Sequence, residues 1–239
     1  MPDIQITLQM LAGLAGGMLL GPLLARFAEA QAAELDAREA AGLSGSELAD
    51  SLRRFATPGA AAEPGWQAAH QAAVALSFAG GSWLGGPGAP GIFVALACAF
   101  LAYGGLLDLR AFWLPDSVTR SLLWLSLTGA GLGIALVPAA DAILGATVAW
   151  AVFAVLQLTA RACLGQPALG GGDVKLMAAC GAICGLSGLP RFLVLVAAAT
   201  ACLGLVWRLG RGSRPEWMPL GAAIAAAGLV GIALALLGR

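Results

Sequence analysis

Two aspartates, Asp108 and Asp173, are the residues best placed to do chemistry in this chain. Each borders a long apolar run, so both are expected near the same membrane boundary although 65 residues separate them. Two carboxyls about 3 Å apart cannot both ionise, and they share one proton. The ionised member takes a proton from a water that attacks an amide carbonyl, while the protonated member supports the oxyanion and then the leaving amine. This residue pair therefore favours peptide hydrolysis without a metal.

The composition requires lipid around most of the surface. Hydrophobic residues make up 59% of the 239 positions and charged residues 11%, whereas soluble domains contain about 25% charged residues. The net charge is zero and there is no dense basic run, which excludes a nucleic-acid-binding protein. The five cysteines form no CxxC pair, which excludes a disulfide scaffold. We therefore predict an all-α polytopic membrane protein.

Three segments are predicted along the chain. Residues 1–27 form a first transmembrane helix, residues 28–66 a small cytoplasmic insert, and residues 67–239 a seven-helix membrane domain that carries the peptidase site. The insert holds seven of the thirteen acidic residues and is interrupted by two Pro-Gly pairs. A spanning helix needs roughly 20 mostly apolar residues. About eight such runs are predicted, at residues 6–27, 68–84, 91–107, 118–137, 139–160, 174–189, 191–207 and 217–237.

The basic residues predict the orientation of these spans. With the N-terminus outside, eleven of the thirteen Lys and Arg residues fall on the cytoplasmic side, and only Arg191 and Arg239 fall on the other. Cytoplasmic loops of membrane proteins carry such an excess of basic residues. Both termini are therefore expected outside, and Asp108 and Asp173 are expected at the cytoplasmic face.

Three glycines, Gly170, Gly171 and Gly172, immediately precede Asp173. Without side chains they let an extended substrate backbone come close, and they permit the positive φ that would aim the aspartate. The alternative is an ordinary glycine linker followed by an aspartate that caps the next helix, since Asp is a favoured N-cap residue. On these four residues alone, the linker and helix cap is the favoured interpretation.

Other charged residues near the pair have competing interpretations. Asp116 competes with Asp108 for a place in the pair, although its position before an apolar run also suits a helix N-cap. Arg110 and Lys175 are expected to extend towards lipid headgroups, and either side chain could also orient a substrate carbonyl. Asp141 is expected on the outer side, at the start of a helix and far from the others.

The helix dipole predicts which member of the pair holds the proton. Asp173 precedes a helix, where the dipole favours an anion, whereas Asp108 ends one, where the dipole disfavours it. Asp173 is therefore expected to be ionised and Asp108 protonated, provided that the helix before Asp108 does not continue past it.

Three blocks of sequence occur in a fixed order and spacing. They are Asp108-x-Arg110-x4-Pro115-Asp116, residues 141–146, and a block that opens with Gly170-x-Gly172-Asp173-x-Lys175. In order and spacing they resemble the type IV prepilin leader peptidases, the bacterial branch of the GxGD-type membrane aspartic proteases (peptidase A24 family). Met218-Pro219-Leu220-Gly221 is similar, more weakly, to the segment that opens the last helix of that family.

The resemblance implies that Asp108 and Asp173 are the catalytic pair. The family cleaves the short basic leader of prepilins and pseudopilins at the cytoplasmic face, usually after a glycine. The implied setting is a bacterial inner membrane, with these substrates and the lipid bilayer as partners and no nucleic acid. Proteolysis by the pair needs no cofactor, whereas S-adenosylmethionine is implied if the N-methylation known for many members is retained. The remaining residues implied at the active-site loops are Gly170, Gly171, Gly172, Arg110, Asp116 and Lys175.

Two departures from the family pattern bear on function. Many members carry paired CxxC motifs in the insert after the first span, but residues 28–66 contain no cysteine, so no metal site is expected. Many members also have Glu-Gly shortly before the GxGD block, where this chain has Pro167-Ala168. Methyl transfer is therefore left open, and peptidase activity is the more secure part of the interpretation.

Two functions of other classes are compatible with the sequence. A proton-coupled transporter or assembly factor would use Asp108 and Asp173 as a relay, but both acids are expected on one side without a polar path across the spans. A non-catalytic relative that acts as a scaffold is supported only by the two departures above.

Overall fold

The computed structural model describes residues 64–164, 169–211 and 218–238, together with Leu11 and Ala15. This part of the chain contains helices and no strand, as the predicted all-α fold requires. Apart from Leu11 and Ala15, the predicted first span lies outside the described residues, as do residues 28–63 of the predicted insert, Pro167 and Ala168. The helices are α1 (Pro64–Gly85), α2 (Ala89–Ala111), α3 (Asp116–Gly131), α4 (Ala139–Leu164), α5 (Gly171–Arg211) and α6 (Leu220–Leu237).

Four of these helices, α2, α4, α5 and α6, are long and apolar enough to cross a membrane. Large hydrophobic side chains such as Leu158, Leu209 and Leu237 are exposed on their outer surfaces, which suits lipid better than water. The described helices are therefore those of a multi-pass membrane protein. Helices α1 and α3, both predicted as spans, do not meet the same combination of length and hydropathy, so the count of eight spans stays a prediction.

Helix α5 is interrupted at Gly185, whose φ of 70° and ψ of 172° are not helical. Such a positive φ is readily adopted only by glycine. The sequence predicted two spans, residues 174–189 and 191–207, separated at Pro190. The interruption instead occurs five residues earlier, and Pro190 lies inside the helix.

The chain folds back on itself at Gly185. Cys180, before the interruption, lies beside Gly228 of α6, whereas Gly204, after it, lies beside Met218 just before α6. In a straight helix, residues 180 and 204 would be about 36 Å apart. Their neighbours are only ten residues apart along the chain, so the two halves of α5 run in opposite directions along α6.

Helices α2 and α5 carry the two aspartates and share two neighbours, α3 and α6. Helix α1 packs on the other side of α2, and α4 packs against α5, where Gly145 and Gly181 bring the two backbones into direct contact. The core between these helices is apolar and includes Phe93, Met177 and Ile224. The shared neighbours therefore link the end of α2 to the start of α5.

Asp141 lies in the first turn of α4, as predicted, and holds the reversal of α5 in place. Its carboxylate accepts hydrogen bonds from the backbone N–H of Ser187 at 3.4 Å and from the Ser187 hydroxyl at 2.9 Å. A Cβ on Gly185 would overlap the same carboxylate. Since the helical rise between Asp173 and Gly185 is about 18 Å, Asp141 lies at the opposite end of this bundle from Asp173.

Candidate active site

Asp108 lies in the last turn of α2 and is buried, with 5% of the residue exposed. The helix continues past it to Ala111 and ends at Phe112, whose N–H donates to the Asp108 carbonyl oxygen at 2.9 Å. Phe112 adopts a left-handed φ of 53°, a cap conformation that usually belongs to glycine. Its ring packs edge-on against Trp207, with 5.7 Å between the ring centroids. The backbone that carries Asp108 is thereby held at the helix end.

The Asp108 carboxylate extends to the start of α6. Its Oδ2 accepts a hydrogen bond from the backbone N–H of Ala222 at 2.9 Å. The first N–H groups of a helix have no partner within that helix, so they are available to bind an acid. A Cβ on Gly221 would lie only 3.0 Å from the Asp108 carboxyl carbon. Glycine at position 221 therefore permits this close approach.

Asp173 is the third residue of α5 and binds back to the residue that precedes the helix. Its Oδ2 accepts the N–H of Gly170 at 3.2 Å, and its own N–H donates to the Gly170 carbonyl oxygen at 3.2 Å. This exchange makes Gly170 the N-cap residue and Asp173 the N3 residue. Asp173 thus caps the helix from within its first turn, and does not occupy the N-cap position that the sequence alternative assigned to it.

The two carboxylates belong to one cluster at one end of the bundle. Asp108 is close enough to act electrostatically on Asp173. Leu114 joins the segments that carry them, because it packs against Gly172 on one side and Gly221 on the other. The structure therefore brings together the two aspartates that were singled out from the sequence.

The proton assignment made from helix dipoles is not supported, because its structural condition is not met. Helix α2 continues to Ala111, three residues past Asp108. The Asp108 carboxylate is also bound to the N-terminus of α6, while Asp173 lies at the N-terminus of α5. Both carboxylates therefore experience the positive end of a helix dipole, and the dipoles do not distinguish them.

Asp116, the alternative partner for Asp173, is held in ion pairs. One carboxylate oxygen binds the Lys175 ammonium at 2.5 Å, and the other binds the Arg120 guanidinium at 2.7 Å. The first ion pair connects the start of α3 to the start of α5, whereas the second stays within α3. Lys175 therefore binds Asp116, and the headgroup position that the sequence predicted for it stays a prediction.

The three glycines before Asp173 have different surroundings. Gly170 and Gly171 are exposed, and a Cβ on Gly171 would meet nothing within 4 Å. Gly172 is enclosed, since a Cβ there would lie 2.8 Å from the Cβ of Leu114. Arg110 is exposed at the end of α2. The space beside Gly171 is thus open, Gly170 lies against the Asp173 carboxylate, and Gly172 is required for packing.

Two parts of the cluster were not identified from the sequence as contributors. The contribution of the Ala222 N–H was indicated in the sequence only by the weak resemblance of residues 218–221 to the family, where Pro219 and Gly221 flank the first residue of α6. Nothing in the sequence distinguishes Leu114 from its neighbours, because it is one apolar residue in an apolar region. Its importance depends on contacts with segments about 60 and 110 residues away along the chain.

The described residues contain no cluster of three or more His, Cys, Asp or Glu that could hold a metal ion. All five cysteines are free thiols. The four carboxylates within the described ranges are Asp108, Asp116, Asp141 and Asp173, and each has a hydrogen-bond or ion-pair partner. A further carboxylate for a cofactor such as S-adenosylmethionine would have to come from outside those ranges.

Comparison with known proteins gives two kinds of match. Residues 95–206 match the model of the type IV leader peptidase family. The prepilin leader peptidase/N-methyltransferase of Xanthomonas campestris pv. campestris is 36% identical over 138 residues, which cover 57% of this chain and 47% of the relative. That of Dickeya chrysanthemi is 37% identical over 150 residues, covering 62% and 50%. The type 4 prepilin-like proteins leader peptide-processing enzyme of Escherichia coli O78:H11 is 32% identical over 141 residues, covering 59% and 51%.

The chain spans about half the length of the curated relatives that it matches. No solved structure matches it. The matched segment contains Asp108, Asp173, the three glycines that precede Asp173, and the ion pair between Asp116 and Lys175. The resemblance found in the sequence is confirmed: residues 95–206 of this chain match the model of the type IV leader peptidase family.

Proposed function

We propose that this protein is a membrane aspartic endopeptidase that removes the basic leader from prepilin-like or pseudopilin-like substrates. One observation supports the proposal: the Asp108 carboxylate, bound to the N–H of Ala222 at the start of α6, lies within electrostatic range of Asp173 at the start of α5. The substrate class is supported by the names of the relatives, which are prepilin-processing enzymes.

The two carboxylates share one proton in the proposed reaction. The ionised carboxylate removes a proton from water, and the water oxygen attacks the carbonyl carbon of the scissile bond. The protonated carboxyl donates a hydrogen bond to the carbonyl oxygen as that oxygen becomes an anion. The C–N bond then breaks, the leaving amine takes a proton from the pair, and a new carboxylic acid is released. The N–H groups of Gly170 and Ala222 hold the two acids in position throughout.

The site is proposed to face the cytoplasm of a bacterial cell from its inner membrane. The excess of basic residues predicted on that side supports this orientation. If α1, α3 and each half of α5 are counted as one pass each, the described helices make seven passes, and a span at residues 6–27 would bring the total to eight. The basic leader of the substrate would then lie outside the hydrocarbon, with its apolar segment among the spans.

Methylation of the new N-terminus is a separate activity that proteolysis does not require in this proposal. The names of several relatives include N-methyltransferase, and S-adenosylmethionine would be the methyl donor. Peptide hydrolysis by the two carboxylates needs no methyl donor, so the peptidase is proposed to work without this cofactor.

Coexpression with a prepilin, followed by mass spectrometry of the prepilin, tests the proposal. The wild-type protein is expected to remove the leader, and Asp108→Asn or Asp173→Asn is expected to leave it attached although the protein is inserted in the membrane. The same spectrum reports any added methyl group. Removal of the leader by both Asn variants would contradict the proposed function.

A further inference from the structure

Leu114 fills the space between three helices at the candidate active site. It belongs to the short link between α2 and α3 and is 6% exposed. A Cβ on Gly104 of α2 would lie 3.3 Å from its Cδ2, and a Cβ on Gly172 of α5 would lie 2.8 Å from its Cβ. A Cβ on Gly221 of α6 would overlap its Cδ1. One leucine side chain thus occupies the volume that three glycines leave open.

Two of these glycines lie next to the carboxylates. Gly172 is adjacent to Asp173 in the chain, and Gly221 precedes Ala222, whose N–H binds Asp108. Leu114 therefore contacts both segments that hold the acids in place. Because protein interiors are close-packed, a change of side-chain volume at such a point moves its neighbours or leaves a cavity.

We propose that Leu114 is a positioning residue that sets the separation between the Asp108 and Asp173 carboxylates. It acts through Gly172 and through the start of α6, and it does not itself touch the reacting atoms. Its kinetic consequence rests on the proposed peptidase function, whereas its geometric consequence does not. A misplacement of about 1 Å in a catalytic group can lower the rate on the order of 100-fold.

A matched control separates positioning from ordinary packing. Leu189 is a buried leucine of similar exposure, 4% against 6% for Leu114, and lies near the reversal of α5 at the opposite end of the bundle. Leu114→Ala and Leu189→Ala remove the same atoms from the interior. Leu114→Met keeps nearly the same volume at the site.

The kinetic test measures leader cleavage by purified protein in lipid, normalised to the folded fraction. Leu114→Ala is expected to lower kcat on the order of 100-fold with a much smaller change in KM, because the acids and not the binding surface are displaced. Leu114→Met is expected to restore most of the rate, and Leu189→Ala to keep the wild-type kcat. Equal kcat for the two alanine variants would overturn the proposal.

A second substitution tests the contact directly. Gly221→Ala adds a methyl group where the Cδ1 of Leu114 lies, so it is expected to lower kcat by itself. Leu114→Ala removes that atom and so relieves this overlap, while the new methyl group still lies 3.0 Å from the Asp108 carboxyl carbon. The double variant is therefore expected to lose less activity than the product of the two single losses. Losses that simply multiply would show that the two residues do not share this space.

The geometry is measurable without activity. In a background with the five native cysteines replaced by alanine, Asp108→Cys and Asp173→Cys can be joined by thiol cross-linkers of graded length. The cross-linker length that gives the highest yield is expected to change when Leu114→Ala is added. It is expected to keep its original value when Leu114→Met or Leu189→Ala is added. An unchanged optimum would overturn the proposal. A shifted optimum in a protein whose wild type cleaves no prepilin would instead contradict the peptidase function alone.

Discussion

Asp141 and Asp173 occupy the same position in their helices but have different surroundings. Each is the third residue of its helix, α4 or α5, and each lies beside a glycine. Asp141 accepts two hydrogen bonds from Ser187 and holds the reversal of α5. Asp173 accepts a hydrogen bond from the backbone N–H of Gly170 and lies within electrostatic range of a second carboxylate, that of Asp108. Helix position therefore does not distinguish Asp141 from the proposed catalytic acid Asp173, whereas the presence of a second acid nearby does.

The largest expected effect comes from exchanging each of these two acids for its amide. Asp173→Asn removes a proton-transfer group and is expected to slow leader cleavage by about 10²–10⁴-fold. Asp141→Asn is expected to keep the wild-type rate per folded molecule and to lower stability, because a hydrogen bond to a charged group contributes about 1.5–3 kcal/mol. Cleavage assays on purified protein, paired with thermal unfolding, measure both. An equal loss of rate in the two variants would remove the distinction.

The reversal of α5 provides the next test. Gly185→Ala places a Cβ at a φ of 70° and against the Asp141 carboxylate, and the backbone strain alone costs about 1–2 kcal/mol. Gly80→Ala is the matched control, since Gly80 is helical and a Cβ there meets nothing within 4 Å. The control is expected to stabilise the protein by about 0.5–1 kcal/mol. Denaturant unfolding in mixed micelles compares the two, and equal stability would show that Gly185 is not under this constraint.

A smaller effect is expected from Ser187→Ala, which removes the hydroxyl that donates to Asp141 at 2.9 Å. The backbone N–H of residue 187 remains as a second donor, so the loss of stability is expected to be about 1 kcal/mol. Leader cleavage per folded molecule should not change. A drop in that rate would connect this end of the bundle to the site and weaken the contrast between the two acids.

The smallest effect concerns the ion pairs of Asp116. The Lys175 and Asp116 side chains are 40% and 37% exposed, so Lys175→Gln is expected to cost no more than about 1 kcal/mol. Arg120→Gln removes the other ion pair and is expected to cost less, because it joins no second helix. Both losses should shrink as salt is raised. A larger and salt-independent cost for Arg120→Gln would contradict this ranking.

The sequence predicted the positions of Asp108 and Asp173 at one end of the bundle because apolar runs end or begin beside them. It predicted the interruption of α5 at Pro190, because proline is the residue expected to end a helix. The structure places it at Gly185, and the positive φ of Gly185 results from packing that the sequence does not reveal. Leu114 and the N–H of Ala222 were not predicted for a related reason. Each acts through neighbours that only the folded chain brings close.

The central claim is that Asp108 and Asp173 work as one unit, and a comparison of single and double variants tests it most directly. Residues that act as a unit show losses that do not multiply. Leader cleavage is therefore expected to fall as far in Asp108→Asn or Asp173→Asn alone as in the double variant. Losses that multiply in the double variant, or cleavage that persists in it at the wild-type rate, would contradict the claim.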